Sequence, residues 1–343
     1  MSALARRAAA LIGVTALTLS MAACGDDGDG KGGEGGGKGK GARPPAPVNG
    51  APTSGLLFAL SQVKADDRTR RSFTYSHQER LRALAGGPLE KSRLSALPIG
   101  LGDLGRYPAA TIAGPTGIDP AKAGHAWQAG VPPTVAGHLT GPFDADAIGG
   151  RLGGLGHKRT GDTWVRRPDG SFDIEDPLTK QGILPTHPLN AIRVDSGRGL
   201  TYARLPATLD LVTKDAGGRA LDADPAFAAV ARCLGTPLAA QLSQRQGSAE
   251  LVGTAVGGVS QNDLEEVMCV RVAGDANTAA TKLRTELGSG RSATGRPWSQ
   301  IMPGAKAETA GDGVVRLAFR LGADQRPGIL FAGFVRSDLP RWA

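Results

Sequence analysis

Aromatic residues and cysteines are both scarce in this sequence of 343 residues, since Phe, Trp and Tyr make up 4% of it and there are 3 cysteines. A chain with so few aromatic rings has to build its core from Val, Leu, Ile and Ala, with small residues at close contacts. Long apolar runs are lacking too, because the run at residues 8–19 is too short to cross a bilayer as a stable helix. The rest of the chain, about 320 residues, is long enough for two modest domains or one large one.

A dense cluster of basic residues is absent as well. The 40 Lys and Arg outnumber the 32 Asp and Glu, but they are spread thinly over the chain and carry no interleaved aromatic residues. Nucleic-acid binding usually needs a basic stripe or patch, so we exclude nucleic acid as a partner. The thin positive excess favours anionic lipid head groups or cell-wall polymers only weakly.

What the sequence does have is a distinctive N-terminal segment. It opens with two arginines, continues with the apolar run at 8–19, and ends at 21–24 in a small-residue cleavage site whose last residue is cysteine. This arrangement resembles the signal peptide of bacterial lipoproteins. The resemblance implies that residues 1–23 are removed and that the thiol of Cys24 receives a diacylglycerol. The lipid on Cys24 would anchor the chain to the extracytoplasmic side of the cell membrane.

Two alternatives stay open for this segment, namely an ordinary secretory signal cut elsewhere and an uncleaved anchor. Arg6 and Arg7 also raise the question of twin-arginine export, although the residues that flank them do not fit that pattern well. The export route, Sec or twin-arginine, therefore stays open.

Residues 24–55 are predicted to be a disordered tether. They are almost entirely Gly, Pro and charged residues, so they cannot bury enough apolar surface to offset their conformational entropy. A flexible chain of this length separates its ends by roughly 30 Å on average. Residues 25–31 match part of a phosphate-binding loop, but Gly32 replaces the required Ser or Thr and no strand precedes it. We attribute that match to chance.

Beyond the tether, the pattern predicts an α+β fold with predominantly antiparallel sheets and packed helices. Hairpin turns and single helices alternate along the chain, which argues against a doubly wound parallel sheet. We predict a first α+β unit at residues 56–215, with a helical N-terminal extension, and a second unit at residues 216–343. Ser54 is predicted to cap the first helix of the extension, at residues 56–63. In the extension, residues 88–131 are predicted to form short helices and loops, including a helix that Asp119-Pro120 opens and that runs toward Trp127.

The two predicted units repeat one order of elements, a strand followed by a helix and a hairpin. In the first unit the strand, helix and hairpin are predicted at residues 134–139, 145–152 and 160–166. In the second unit they are predicted at residues 266–272, 277–287 and 309–316. Such combinations are common in proteins, so the duplication is a hypothesis.

Two cysteines remain once Cys24 is assigned to the anchor. Cys233 ends a predicted helix that Asp224-Pro225 opens, and Cys269 lies inside a predicted strand. In an oxidising compartment such a pair usually forms a structural disulfide, which is our prediction. Two buried free thiols or a reactive thiol are the alternatives, although no histidine lies near either cysteine in sequence.

One glycine pattern and one acidic pattern match known ligand motifs only in part. Residues 100–105 fit the dinucleotide fingerprint, but no full strand leads into them and Tyr107-Pro108 interrupts the helix that should follow. The acidic pattern matches the first ligand positions of a calcium-binding loop, at Asp169, Ser171, Asp173 and Glu175. Its sixth and twelfth positions are Ile174 and Lys180 instead of Gly and Glu, so a turn followed by an acidic strand is the simpler interpretation. We expect no cofactor and no metal.

Catalytic spacings are weak throughout. The five histidines stand singly, without the spacing of a zinc hydrolase, at His77, His125, His138, His157 and His187. Ser61 and Lys64 fit the Ser-x-x-Lys of penicillin-recognising enzymes, but no Lys-Thr-Gly follows, and no Gly-x-Ser-x-Gly elbow occurs. A triad assembled from distant residues stays open. No catalytic residue is therefore assigned.

In its Ala/Gly/Arg-biased composition, Gly-rich tether and α+β body, the chain is similar to uncharacterised lipoproteins of high-GC Gram-positive bacteria. That resemblance adds a location and no activity. We expect a non-enzymatic binding or structural module at the cell envelope, whose partner is a wall polymer or an envelope protein. An extracytoplasmic hydrolase is the alternative, and a solute-binding transport lipoprotein is the third.

Overall fold

The computed structural model describes residues 54–171, 175–182, 188–196, 198–212, 219–244 and 250–342. The predicted signal peptide, Cys24 and residues 24–53 of the predicted tether lie outside these residues.

The centre of the described structure is one twelve-stranded sheet in which every pairing is antiparallel. The strands lie in the order β11-β12-β10-β9-β8-β1-β2-β3-β7-β6-β5-β4. Their bounds are β1 Phe73–Ser76, β2 Ala126–Val131, β3 Thr134–Thr140, β4 Lys158–Thr160, β5 Thr163–Val165, β6 Ala191–Asp195, β7 Gly199–Ala203, β8 Ala239–Gln244, β9 Leu251–Ser260, β10 Asp263–Arg271, β11 Lys306–Thr309 and β12 Val314–Arg320. The predicted α+β class with a mostly antiparallel sheet is confirmed.

Short helices lie between the strands. The α-helices are α1 Gly55–Ser61, α2 Asp67–Arg71, α3 Gln78–Ala85, α4 Ala109–Thr116, α5 Ala145–Gly154, α6 Pro177–Lys180, α7 Pro225–Leu234, α8 Ala276–Ser289, α9 Trp298–Ile301 and α10 Ile329–Val335. Short 3-10 segments occupy Leu89–Lys91, Ile99–Arg106, Pro120–Lys122, Pro188–Asn190, Pro206–Leu211 and Leu221–Ala223. Across the described residues, every helix is too short or too polar to cross a membrane.

Local sequence explains where the helices on one side of the sheet begin. Ser54 caps α1, since its Oγ accepts a hydrogen bond from the backbone N–H of Leu57 at 3.2 Å. Asp224 caps α7 in the same way and is followed by Pro225, whose missing N–H costs nothing at the first helical position. Both helix starts follow the sequence prediction within one or two residues.

The sheet separates the buried side chains into clusters on its two faces. Along β10, Val267 and Cys269 belong to one cluster, while Met268 and Val270 belong to another, as the period of two in a strand requires. Helices α1 and α7 cover the first face, and α5, α8 and α10 contribute to clusters on the opposite face. Both faces of the central strands are therefore covered, which gives this aromatic-poor chain a large aliphatic core.

The prediction for residues 88–131 is wrong at its C-terminal end. Asp119 and Pro120 open only a 3-10 turn, and Trp127 lies in strand β2 instead of at the end of a helix. The run Ala126–Val131 alternates weakly and contains a glycine, so its local pattern does not favour a strand. Pairing with β1 on one side and β3 on the other makes it one.

The two halves of the sheet share a strand order. The meander β1-β2-β3 is followed by α5, and β7 then pairs with β3; the meander β8-β9-β10 is followed by α8, and β12 then pairs with β10. In the first half the hairpin β4-β5, which contains the turn at residues 160–163, lies at the outer edge and does not contact β3 in the sheet. The turns at Gly161 and Gly311 therefore occupy different places in the two halves. The duplication stays a hypothesis.

The predicted disulfide is confirmed. Cys233 in α7 and Cys269 in β10 are bonded, with their Cα atoms 6.2 Å apart. The bond ties the helix on one face directly to a central strand of the sheet.

Candidate functional site

Three of the five single histidines lie together in the structure. We call the group Tyr75, His77, His125, Trp127 and His138 the imidazole cluster. Tyr75, Trp127 and His138 lie on β1, β2 and β3, where cross-strand pairing aligns Tyr75 with Trp127 and Trp127 with His138. His77 directly follows β1, and His125 directly precedes β2. His157 lies elsewhere, against the Leu189 carbonyl, and His187 lies outside the described residues.

The cluster is held by ring stacking and by hydrogen bonds to hydroxyl groups. The rings of His77 and His125 are 4.1 Å apart between centroids, and Tyr75 Oη lies 2.8 Å from His125 Nδ1. Trp127 stacks on His138 with centroids 4.5 Å apart, and His138 Nδ1 lies 3.0 Å from the Thr201 hydroxyl on β7. Helix α1 packs directly against the cluster, because its first residue, Gly55, lies so close to Tyr75 Oη that a Cβ atom would not fit there.

Burial keeps these imidazoles neutral at pH 7. It lowers the pKa of His77 to about 4, with smaller contributions from the neighbouring His125 and Arg80. Burial alone lowers the pKa of His138 to about 4, and it also lowers the pKa of His125. The pKa of Tyr75 is raised by burial, so its hydroxyl stays protonated. The cluster is therefore uncharged at neutral pH, which suits its buried position between strands.

This geometry does not assemble known catalytic or metal chemistry. The side-chain partners recorded for His125 and His138 are the hydroxyls of Tyr75 and Thr201, not a serine, a cysteine or a carboxylate. Over the described ranges, no three His, Cys, Asp or Glu residues are placed to hold a metal ion. We interpret the cluster as a structural junction whose neutral state depends on pH.

The remaining sequence candidates have structural roles where the structure describes them. The Ser61 hydroxyl donates to the Phe58 carbonyl at the end of α1, at 2.7 Å. Asp169 accepts from the backbone N–H of Ser171, which makes the turn that the sequence favours, and Asp173 lies outside the described residues. Gly100 packs where a Cβ atom would lie 2.1 Å from the Ala126 carbonyl oxygen, so this glycine permits a close approach of two backbones.

A cavity of about 550 Å³ lies on the other half of the sheet, and sequence analysis missed it. One wall comes from the ends of β8 and β9, with Ser243, Glu250 and Val252. The other comes from α10 and the segment after it, with Phe334, Ser337, Leu339, Pro340, Arg341 and Trp342. We call this space the C-terminal cavity.

The C-terminal cavity has the composition of a small-molecule site. Its size lies within the roughly 300–1,000 Å³ of typical ligand pockets, and such pockets combine aromatic or aliphatic walls with a few polar groups. Phe334, Trp342 and Leu339 supply the apolar surface, and Glu250 and Arg341 supply the charges. A second cavity of about 520 Å³ between α8 and β11 has no aromatic wall and includes Arg284, Lys306 and Glu308. The aromatic wall makes the C-terminal cavity the better candidate.

The C-terminal cavity depends on residues far apart in sequence. Val252 and Phe334 are separated by β10, α8, α9, β11 and β12, and only the return of α10 onto β9 brings them together. A sequence signal existed in the pair Phe331 and Phe334 near Trp342, an aromatic concentration in a chain with 4% aromatic residues.

No protein-family model matches this chain, and no curated protein or solved structure matches it significantly. The assignment of function therefore rests on the residues and their geometry.

Proposed function

We propose that this protein is a membrane-anchored extracytoplasmic lipoprotein whose folded part is a non-enzymatic binding module at the cell envelope. The C-terminal cavity is the observation that carries the binding part of the proposal, because it has the size and the aromatic wall of a ligand site. The N-terminal segment that ends at Cys24 supports the location. A two-chain lipid on that cysteine would suffice for stable attachment.

The binding proposal is tested with N-phenyl-1-naphthylamine, a neutral aromatic probe that fluoresces in apolar surroundings. The exported chain carrying Cys24→Ala avoids detergent and keeps every residue of the folded part. We expect saturable binding with a Kd near or below about 100 μM, in line with the efficiency of ligands of this size. Phe334→Ala should weaken binding at least about five-fold, because it removes an aromatic wall.

The matched control is Val335→Ala, which truncates the next residue of α10, a side chain 76% exposed that does not line the cavity. It should leave the affinity unchanged. Trp342→Leu provides a second test of the wall if Phe334→Ala folds poorly. Absence of saturable binding, or equal binding in the wild type and both wall variants, would contradict the proposal.

The location is tested by membrane sedimentation. The wild-type protein should sediment with membranes, and Cys24→Ala should be released from them or mislocalised, because the variant lacks the acceptor for the lipid. Cys233→Ala serves as a control for the loss of a cysteine, since Cys233 is bonded within the folded part. A wild-type protein found wholly in the soluble fraction would remove the anchor from the proposal.

A further inference from the structure

The charges at the C-terminal cavity are not equivalent. Arg341 lines the cavity, is exposed, and makes no hydrogen bond or ion pair with any residue that the structure describes. Glu250 lines the same cavity, but it already interacts with another group. The charge that the cavity offers to an incoming molecule is therefore the guanidinium group of Arg341.

The two serine hydroxyl groups of the cavity add no charge to it. Ser243 already donates its hydroxyl to the backbone carbonyl of Arg71. Ser337 is exposed and neutral. A guanidinium group presents parallel N–H donors that match a carboxylate, sulfonate or phosphate. The apolar side chains of Phe334, Leu339 and Trp342 suit a ligand body made of a ring or a short aliphatic chain.

We propose that the C-terminal cavity binds small amphipathic anions, with the apolar body between Phe334 and Trp342 and the acidic group at Arg341. This inference rests on the proposed binding function and adds the chemical class of the ligand. A cavity of about 550 Å³ accommodates one drug-sized molecule, so the ligand is a free small anion and not a two-chain lipid.

A pair of probes that differ by one charged group tests the inference. 8-Anilino-1-naphthalenesulfonate has the ring system of N-phenyl-1-naphthylamine plus a sulfonate. On the exported chain carrying Cys24→Ala, the anionic probe should bind roughly three- to ten-fold more tightly than the neutral one, because an exposed charge-assisted contact adds a modest factor. The difference should shrink as salt is raised.

Arg341→Gln should reduce the affinity for the anionic probe to that of the neutral probe, so that the preference for the anion is lost. Arg336→Gln is the matched control, since Arg336 is exposed at the end of α10, its side chain donates to the Ala332 carbonyl, and it does not line the cavity. Phe334→Ala should weaken both probes, which places both in the same cavity.

Failure of this inference can be told apart from failure of the proposed function. If the neutral probe binds and the anionic probe binds no more tightly, or if Arg341→Gln keeps the preference, the ligand class is wrong and the binding module stands. The ligand class is also wrong if Arg336→Gln abolishes the preference as fully as Arg341→Gln does. If neither probe binds saturably, both the proposed binding function and the proposed ligand class are wrong. Competition by anionic vesicles that carry phosphatidylglycerol, with none from soluble naphthalenesulfonate, would assign the site to a lipid surface and overturn the inference.

Discussion

The two halves of the sheet are held together by different chemistry. The half made of strands β8 to β12 carries a disulfide between α7 and β10 and a buried carboxylate, Glu266, at the start of α10. The half made of strands β1 to β7 carries the imidazole cluster, whose rings are held by stacking and by hydroxyl groups. One half therefore depends on a covalent bond and a buried acid, and the other depends on imidazoles that stay neutral.

Glu266 fixes the helix that forms one wall of the C-terminal cavity. Its carboxylate accepts three backbone N–H bonds, from Gly328 at 2.6 Å, Ile329 at 2.9 Å and Leu330 at 2.7 Å. These are N–H groups at the start of α10 that have no partner inside the helix. Burial raises the pKa of Glu266, and the three N–H donors oppose that rise only in part. Phe334 lies in the same helix, so the position of the cavity wall depends on this carboxylate.

The difference gives the two halves opposite responses to pH. A histidine whose pKa is lowered by the fold stabilises it above the ordinary pKa and loses that contribution in acid. A glutamate whose pKa is raised by the fold contributes most below its ordinary pKa, and that contribution is lost as the pH rises. Mild acid should therefore weaken the half with the imidazole cluster first.

The largest effect on stability is expected from removal of the disulfide. Cys233→Ala with Cys269→Ala should lower the free energy of unfolding by about 3–4 kcal/mol, because the unfolded chain loses a loop closed over 36 residues. Urea unfolding followed by circular dichroism measures it. The wild type in reductant is the control and should behave like the double variant. A loss below about 1 kcal/mol would show that packing alone holds α7 on the sheet.

The next effect is the acid response of the imidazole cluster. Between about pH 6.5 and pH 4 the free energy of unfolding should fall, with roughly 2–3 kcal/mol from His138, because the unfolded chain binds the proton more readily there. Urea unfolding at pH 7.5 and pH 4.5 measures the fall. His138→Asn keeps a hydrogen-bonding group near Thr201 and should show a smaller difference between the two pH values. An equal fall in the variant would assign the acid response to other groups.

A smaller effect concerns the buried carboxylate. Glu266→Gln should lower the free energy of unfolding at pH 7 by about 1–3 kcal/mol, because the amide nitrogen leaves at least one N–H of α10 without an acceptor. It should also remove the loss of stability that accompanies ionisation of Glu266 as the pH rises. Glu265→Gln is the matched control, since Glu265 pairs with Arg316 near the surface and should cost less than about 1 kcal/mol. Equal effects at both positions would mean that the cap on α10 contributes nothing specific.

The smallest effect is expected from a change outside both halves. Cys24→Ala should leave the free energy of unfolding within about 0.5 kcal/mol of the wild type, because the predicted tether separates the anchor from the folded part. Unfolding of both proteins in the same detergent measures it. A larger shift would show that the anchor segment contributes to the stability of the folded part.

Several of these features were predictable because they depend on neighbouring residues or on composition. The helix start at Ser54 follows from a capping residue, and the start of α7 follows from Asp224-Pro225. The α+β class followed from hairpin and helix patterns, and the bond between Cys233 and Cys269 followed from cysteine count and compartment. The anchor at Cys24 stays a prediction from sequence.

Strand β2, the imidazole cluster and the C-terminal cavity required the tertiary structure. Trp127 becomes a strand residue only through pairing on both sides, and that pairing then sets it against Tyr75 and His138. The cavity exists because α10, capped by Glu266 from β10, returns beside β9. Local sequence determines caps, turns and periodicity because these involve residues a few positions apart. Sites built from residues tens to hundreds of positions apart are determined by strand register and packing, which one sequence does not display.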